Sequence, residues 1–249
     1  MHTSSWLMRQ SAGGRRFRLF CFSYAGGSAA PYLAWQTALP SFIEVCAIQL
    51  PGRGPRLAEL PIRSLPQLIE TLAPIIAREA DLPFAFFGHS LGGLLAFELA
   101  RHCQRHHLPM PEHLFVSASN APRHRRANRR LHELDDDALI DALKDYNGTP
   151  PAALADRELM TLLLPAIRAD FALVETYEYR QDVPLDIPIT VLAGTNDKHV
   201  VSERLCRWQD ETTEACSLRW FEGDHFFIHS NQDAVLDCIQ DELADLQYA

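Results

Sequence analysis

The segment Gly88-His89-Ser90-Leu91-Gly92 sets a serine between two glycines. The apolar run Phe84 to Phe87 precedes it, and a helical period opens at Leu91. A strand, a sharp turn and a helix in that order project the serine from the turn, and the glycines leave room where side chains would collide. The plain alternative is a glycine-lined turn with a helix-capping serine. Serine is a weak nucleophile until a base takes its proton, and the base needs an acid to orient it. Downstream, Asp197 follows the apolar run Ile189 to Ala193 in Gly194-Thr195-Asn196-Asp197. His225 follows Leu218 to Phe221 in Gly223-Asp224-His225-Phe226-Phe227. Ser90, Asp197 and His225 are therefore expected to be nucleophile, acid and base. Asp182, Asp186 and Asp224 are rival acids, and Asp224, beside His225, is expected to shape the loop. Acyl transfer also needs two backbone N–H groups aimed at the developing negative charge. Leu91, directly after the nucleophile, is the expected first donor. Ala25, in the loop Tyr24-Ala25-Gly26-Gly27-Ser28, is the expected second.

These residues need a scaffold that brings distant loops to one place. Phe17 to Phe22, Ile43 to Ile48, Phe84 to Phe87, Leu114 to Val116, Ile187 to Ala193 and Ser217 to Phe221 read as strands. Helical periods over Leu65 to Ile76, Leu91 to His106, Ser202 to Asp210 and Asp233 to Leu246 separate or follow them, with Pro74 expected to kink the first. Strands alternating with helices predict an α/β fold with a mostly parallel sheet covered on both faces. From about Asn120 to Arg180 the rhythm breaks, and only helices are expected, over Asp135 to Tyr146 and Glu158 to Tyr179, with breakers at Gly148, Pro150 and Pro151. The prediction is one domain over residues 1–249 with a helical insertion over 120–180, placed above the carboxyl ends of the strands, where open α/β sheets bind ligands.

A net charge of −9 argues against a general nucleic-acid binder. The six cysteines form no C-x-x-C pair, so reduced thiols, a cytoplasmic setting and no metal site are expected. Met1 to Arg18 lacks the apolar core of a signal peptide, and no run is long enough to span a bilayer. His102, His106 and His107 have helical spacing that could suit a metal, but read as a solvated helix end. Arg123, Arg125, Arg126, Arg129 and Arg130 form a basic run in an acidic chain. It reads either as a solvated segment or as a docking patch for an acidic or phosphorylated partner.

The chain resembles the stand-alone type II thioesterases that accompany nonribosomal peptide and polyketide synthases, members of the α/β-hydrolase superfamily. The resemblance rests on Phe22-Ser23-Tyr24-Ala25-Gly26-Gly27-Ser28, Leu50-Pro51-Gly52-Arg53-Gly54, Gly88 to Gly93 with Ala96-Phe97-Glu98, and Gly223 to Phe227. In the insertion, Pro165 to Phe171 with Glu175 and Tyr177 is similar to the family's lid helix. Lys198-His199 departs from the family, where proline often follows the acid, and Ser23 stands where proline is frequent. The resemblance implies a monomer without cofactor that hydrolyses acyl groups stalled on the phosphopantetheine arm of carrier domains, the insertion acting as a lid. A chain-terminating medium-chain thioesterase of fatty-acid synthesis, a general carboxylesterase and a catalytically silent binding module are the competing expectations.

Overall fold

The structure, a computed structural model, describes residues 5–10, 13–124 and 130–245. Seven strands form one sheet: β1 (Leu7–Met8), β2 (Phe17–Phe22), β3 (Ile43–Ile48), β4 (Phe84–His89), β5 (His113–Ser117), β6 (Ile189–Gly194) and β7 (Cys216–Phe221). Their order across the sheet is β1-β3-β2-β4-β5-β6-β7. All neighbours pair in parallel except β1, which runs antiparallel to β3. The helices are α1 (Ala30–Leu33), α2 (Leu65–Arg78), α3 (Leu91–Arg105), α4 (Asp136–Tyr146), α5 (Pro151–Ala155), α6 (Arg157–Glu175), α7 (Ser202–Leu205), α8 (Phe227–Ser230) and α9 (Gln232–Asp245). Helix α2 continues through Pro74.

The strands β2 to β6 are buried along their whole length, as continuous apolar runs covered on both sides should be. Successive side chains point to opposite faces. Phe20, Phe22, Phe84 and Phe86 join α2 and α3 in one core layer. Leu19, Cys21, Ala85 and Phe87 join Tyr32, Trp35 and the α9 residues Val235 and Ile239 in the other. Trp35 packs edge-on to Phe87 at 4.9 Å. The buried thiols lie within these layers, and burial pushes the Cys46 thiol up to about 12.

After β2 the chain moves outward to β3, then crosses back to lay β4 on the other side of β2. This reversal opens a crevice beyond the carboxyl ends of β2 and β4, the place where α/β sheets bind ligands. Between β5 and β6 the described residues contain helices and no strand. Asp135 caps α4 by accepting from the Ala138 N–H at 2.8 Å, and Asp156 caps α6 by accepting from Leu159 at 3.0 Å. Pro151 opens α5 instead of only breaking the chain, because a proline in a first helical turn lacks an N–H that would be unpaired there anyway. Helix α6 ends at Glu175, four residues before the expected end, and the expected helix over 202–210 tightens into a 3₁₀ helix from Cys206 onward.

His113 in β5 is 3 % exposed, stacks on Phe115 at 4.3 Å and shares a 2.9 Å hydrogen bond with Thr190. Burial lowers its pKa from the ordinary 6.5 to about 4. The unfolded chain takes up this proton below pH 6.5 while the folded one does not, so stability should fall as pH drops from about 6.5 to about 4 and level off below. The loss from this group is on the order of 3 kcal/mol. Urea unfolding of the wild type and His113→Gln at pH 7 and pH 4 checks this: the wild type should lose more stability than the variant over that interval. Equal losses would remove His113 as a cause.

Candidate active site

Ser90 sits between β4 and α3 with φ 56 and ψ −108, a conformation a non-glycine residue holds only under constraint. The constraint is visible at the flanking glycines. A Cβ on Gly88 would lie 2.0 Å from the Gly92 carbonyl oxygen, and a Cβ on Gly92 would lie 2.0 Å from the Phe22 carbonyl oxygen. Only glycine lets α3 pack this closely on the turn and on β2. The Ser90 N–H is held by the Ser117 carbonyl at 2.8 Å.

Ser90 Oγ lies 3.0 Å from His225 Nε2, and His225 Nδ1 lies 2.7 Å from Asp197 Oδ2. The Asp197 side chain is fully buried and that of His225 is 5 % exposed. The other Asp197 oxygen accepts from the His199 N–H at 2.8 Å. Two backbone bonds tie the acid loop to the histidine loop: Thr195 N–H to Phe221 at 2.8 Å and Asn196 N–H to Gly223 at 2.9 Å. The structure thus brings together three residues drawn from the ends of β4, β6 and β7. Asp224 accepts from the Phe226 N–H at 2.8 Å and from Asn147 at 3.0 Å, binding its own loop to the end of α4. Asp182 pairs with Arg105 at 3.1 Å, at the opposite end of α3 from Ser90, and the Asp186 N–H donates to Gln104.

In the loop after β2, the Gly26 N–H donates to Asp170 Oδ2 at 2.7 Å and the Gly27 N–H to the Tyr24 carbonyl at 2.9 Å. The Ala25 N–H has no partner among the described residues. Leu91, as the first residue of α3, has its N–H outside the helical ladder. A cavity of about 250 Å³ opens between this loop, Ser90 and His225. Helices α4 and α6 supply its far wall through Leu143, Tyr146, Leu163, Ile167 and Phe171, with Phe226 beside them. A larger hollow of about 540 Å³ between α2 and α3 contains none of Ser90, Asp197 or His225.

Three features were not legible from residue spacing. His199 stacks face to face on Tyr146 at 3.9 Å and meets His225 edge-on at 5.1 Å. His89 is fully buried, 5.3 Å from His225, and desolvation holds its pKa well below the usual range, so it stays neutral beside the base. Arg53 and Asp170, 117 residues apart, form a buried ion pair against the loop after β2. Other expectations fall elsewhere. His102 and His106 lie with their rings 4.2 Å apart and tilted by 32° at the end of α3, and His107 follows with φ 52. Arg130 pairs with Glu133, Arg123 lies in a short 3₁₀ turn, and Arg125, Arg126 and Arg129 lie outside the described residues. No helix among the described residues is long and apolar enough to cross a membrane.

A mostly parallel seven-stranded sheet flanked by helices, with a serine at a strand–turn–helix elbow beside the switch point, is the α/β-hydrolase fold. Within that class, the thioesterase domain family matches residues 17–243, and the chain belongs to it. The gramicidin S biosynthesis protein GrsT of Aneurinibacillus migulanus is 42% identical over 222 residues, which are 89% of this chain and 87% of GrsT. The type II thioesterase BorB from the borrelidin biosynthetic cluster superposes with a TM-score of 0.90 at 36% identity, over 98% of this chain and 99% of BorB. YbtT, a type II thioesterase from the yersiniabactin NRPS/PKS pathway, superposes with a TM-score of 0.84 at 28% identity, over 94% of this chain and 96% of YbtT.

Proposed function

We propose that the protein is a serine thioesterase that removes aberrant or stalled acyl groups from the phosphopantetheine arm of carrier domains in a nonribosomal peptide or polyketide synthase. The observation that carries this reading is the unbroken line Ser90–His225–Asp197 at the wall of a cavity, in a chain of the thioesterase family. Ser90 Oγ attacks the thioester carbonyl while His225 Nε2 takes its proton. Ala25 and Leu91 donate N–H bonds to the carbonyl oxygen as it becomes an oxyanion. As the C–S bond breaks, His225 returns the proton to the departing thiolate. Water, deprotonated by His225, then attacks the acyl-enzyme, and the collapse of that second tetrahedral intermediate releases the acid and restores Ser90. Asp197 holds the imidazole and stabilises its charged form. The chain forms one α/β-hydrolase domain, and the insertion over 120–180 acts as a lid that limits acyl size.

Hydrolysis of a panel of acyl groups loaded on carrier domains, read by intact mass, tests the proposal. Among the described residues, the cavity lining contains no lysine or arginine, so an acyl group ending in a carboxylate would be desolvated without a partner. Propionyl is therefore expected to be removed at least about 10-fold more efficiently than malonyl, the rate factor of about 1.4 kcal/mol. Failure to release any acyl group from a carrier, with rapid cleavage of simple oxygen esters, would replace the proposal with a carboxylesterase.

A further inference from the structure

One buried ion pair joins the loop after β3 to helix α6, and both of its members hydrogen-bond to the loop after β2. Arg53, in the loop after β3, is 4 % exposed and Asp170, in α6, is 1 % exposed. The guanidinium grips the carboxylate through both arms, Nη1 to Oδ2 at 2.5 Å and Nη2 to Oδ1 at 2.8 Å. The same Oδ2 accepts the Gly26 N–H at 2.7 Å, and Arg53 Nη1 also donates to the Gly27 carbonyl at 3.1 Å. One carboxylate and one guanidinium thus hold the N–H of Gly26 and the carbonyl of Gly27, neighbouring residues of a single turn. Of the three successive N–H groups at Ala25, Gly26 and Gly27, two are taken, and Ala25 keeps the free one.

We propose that Asp170 is a positioning residue of the oxyanion hole. Clamped by Arg53, its carboxylate captures the Gly26 N–H and fixes the turn, so that the Ala25 N–H faces Ser90 before substrate arrives. The proposal rests on the reading of Ser90 as nucleophile and of Ala25 and Leu91 as donors. A donor stabilises an oxyanion only if it needs no reorientation when the charge appears. A bidentate, charge-assisted clamp supplies such stiffness. Stability alone does not call for an ion pair here, because well-packed apolar residues of similar volume stabilise a buried site equally well. Since Asp170 belongs to the insertion, seating α6 and forming the hole become one event.

The test compares the wild type, Asp170→Asn and the double variant Arg53→Met/Asp170→Ala on a small soluble acyl thioester. It also measures affinity for two chain-matched ligands. An acyl trifluoromethyl ketone captures Ser90 as a tetrahedral oxyanion, and a thioether cannot. The folded double variant should lose about 10²–10³-fold in kcat, the cost of one oxyanion donor, with KM unchanged. Trifluoromethyl ketone affinity should fall in step, thioether affinity should hold, and the acidic limb of the pH profile should not move. A merely structural role would weaken both ligands together, and that result, or a wild-type kcat in the folded double variant, overturns the proposal. Should the double variant not fold, Asp170→Asn decides on the same readouts: a lower kcat at constant KM supports the clamp and a wild-type kcat refutes it. Fluorophosphonate labelling of the wild type keeps the underlying reading separate, because absence of label on Ser90 removes the nucleophile whatever Asp170 does.

Discussion

Ser90→Ala is expected to lower turnover by roughly 10⁶-fold, since deleting a serine nucleophile removes nearly everything the triad contributes. The hydroxyl has no stand-in. His225 Nε2, 3.0 Å away, would be left to activate water for direct attack without an acyl-enzyme. The elbow should survive the change, because it is built from Gly88, Gly92 and the Ser90 backbone and not from the hydroxyl. The measurement is acyl release from a loaded carrier at matched protein concentration, with the melting temperature as the control for folding. Near-normal turnover by a folded Ser90→Ala protein would exclude the covalent mechanism.

Asp197→Asn should cost about 10⁴-fold in turnover, the loss seen when a triad carboxylate becomes an amide. The substitution is nearly isosteric, so packing around the fully buried side chain is retained. An amide cannot stabilise the imidazolium formed when Ser90 is deprotonated, and if its NH₂ turns toward Nδ1 it selects the wrong tautomer. Asp182→Asn should leave turnover close to wild type, because Asp182 is engaged by Arg105, and Asp186→Asn should do the same. Single-turnover rates across the three variants check the assignment. A large loss at Asp182 or Asp186 with none at Asp197 would move the acid upstream.

What could be read from sequence follows from how local each cause is. Strands β2 and β3 begin and end where the reading put them, because each is an apolar run closed by turn residues. Strand β1 escaped because two residues carry no period, and only β3 makes them a strand. The end of α6 was misread because the helical pattern continues through Tyr177 and Tyr179. Their hydroxyls instead bond to Glu98 at 2.7 Å and Glu211 at 3.1 Å, contacts made after the helix has stopped. Ser90, Asp197 and His225 stood out because each follows a strand in a short loop containing glycine. Arg53 and Asp170 appeared only as members of motifs, since nothing local pairs residues 117 apart that only the packing of α6 on the sheet's loops brings together. The stack of His199 on Tyr146 was hidden for the same reason.

The position of β7 has a consequence for how the protein fails on warming. It closes the sheet, pairs with β6 alone, and leaves Trp220 46% exposed. Strand β4, by contrast, is paired on both sides, by β2 and β5. Proteins open in local units whose free energies range from near zero at frayed edges to the global value in the centre. Base and nucleophile are thus hung on an edge strand and a central strand of one sheet. Fraying of β7 would carry His225 away from an elbow that is still intact. Heat inactivation is then expected to precede the cooperative melt and to reverse on cooling, which activity and far-UV signal followed on one temperature ramp would check.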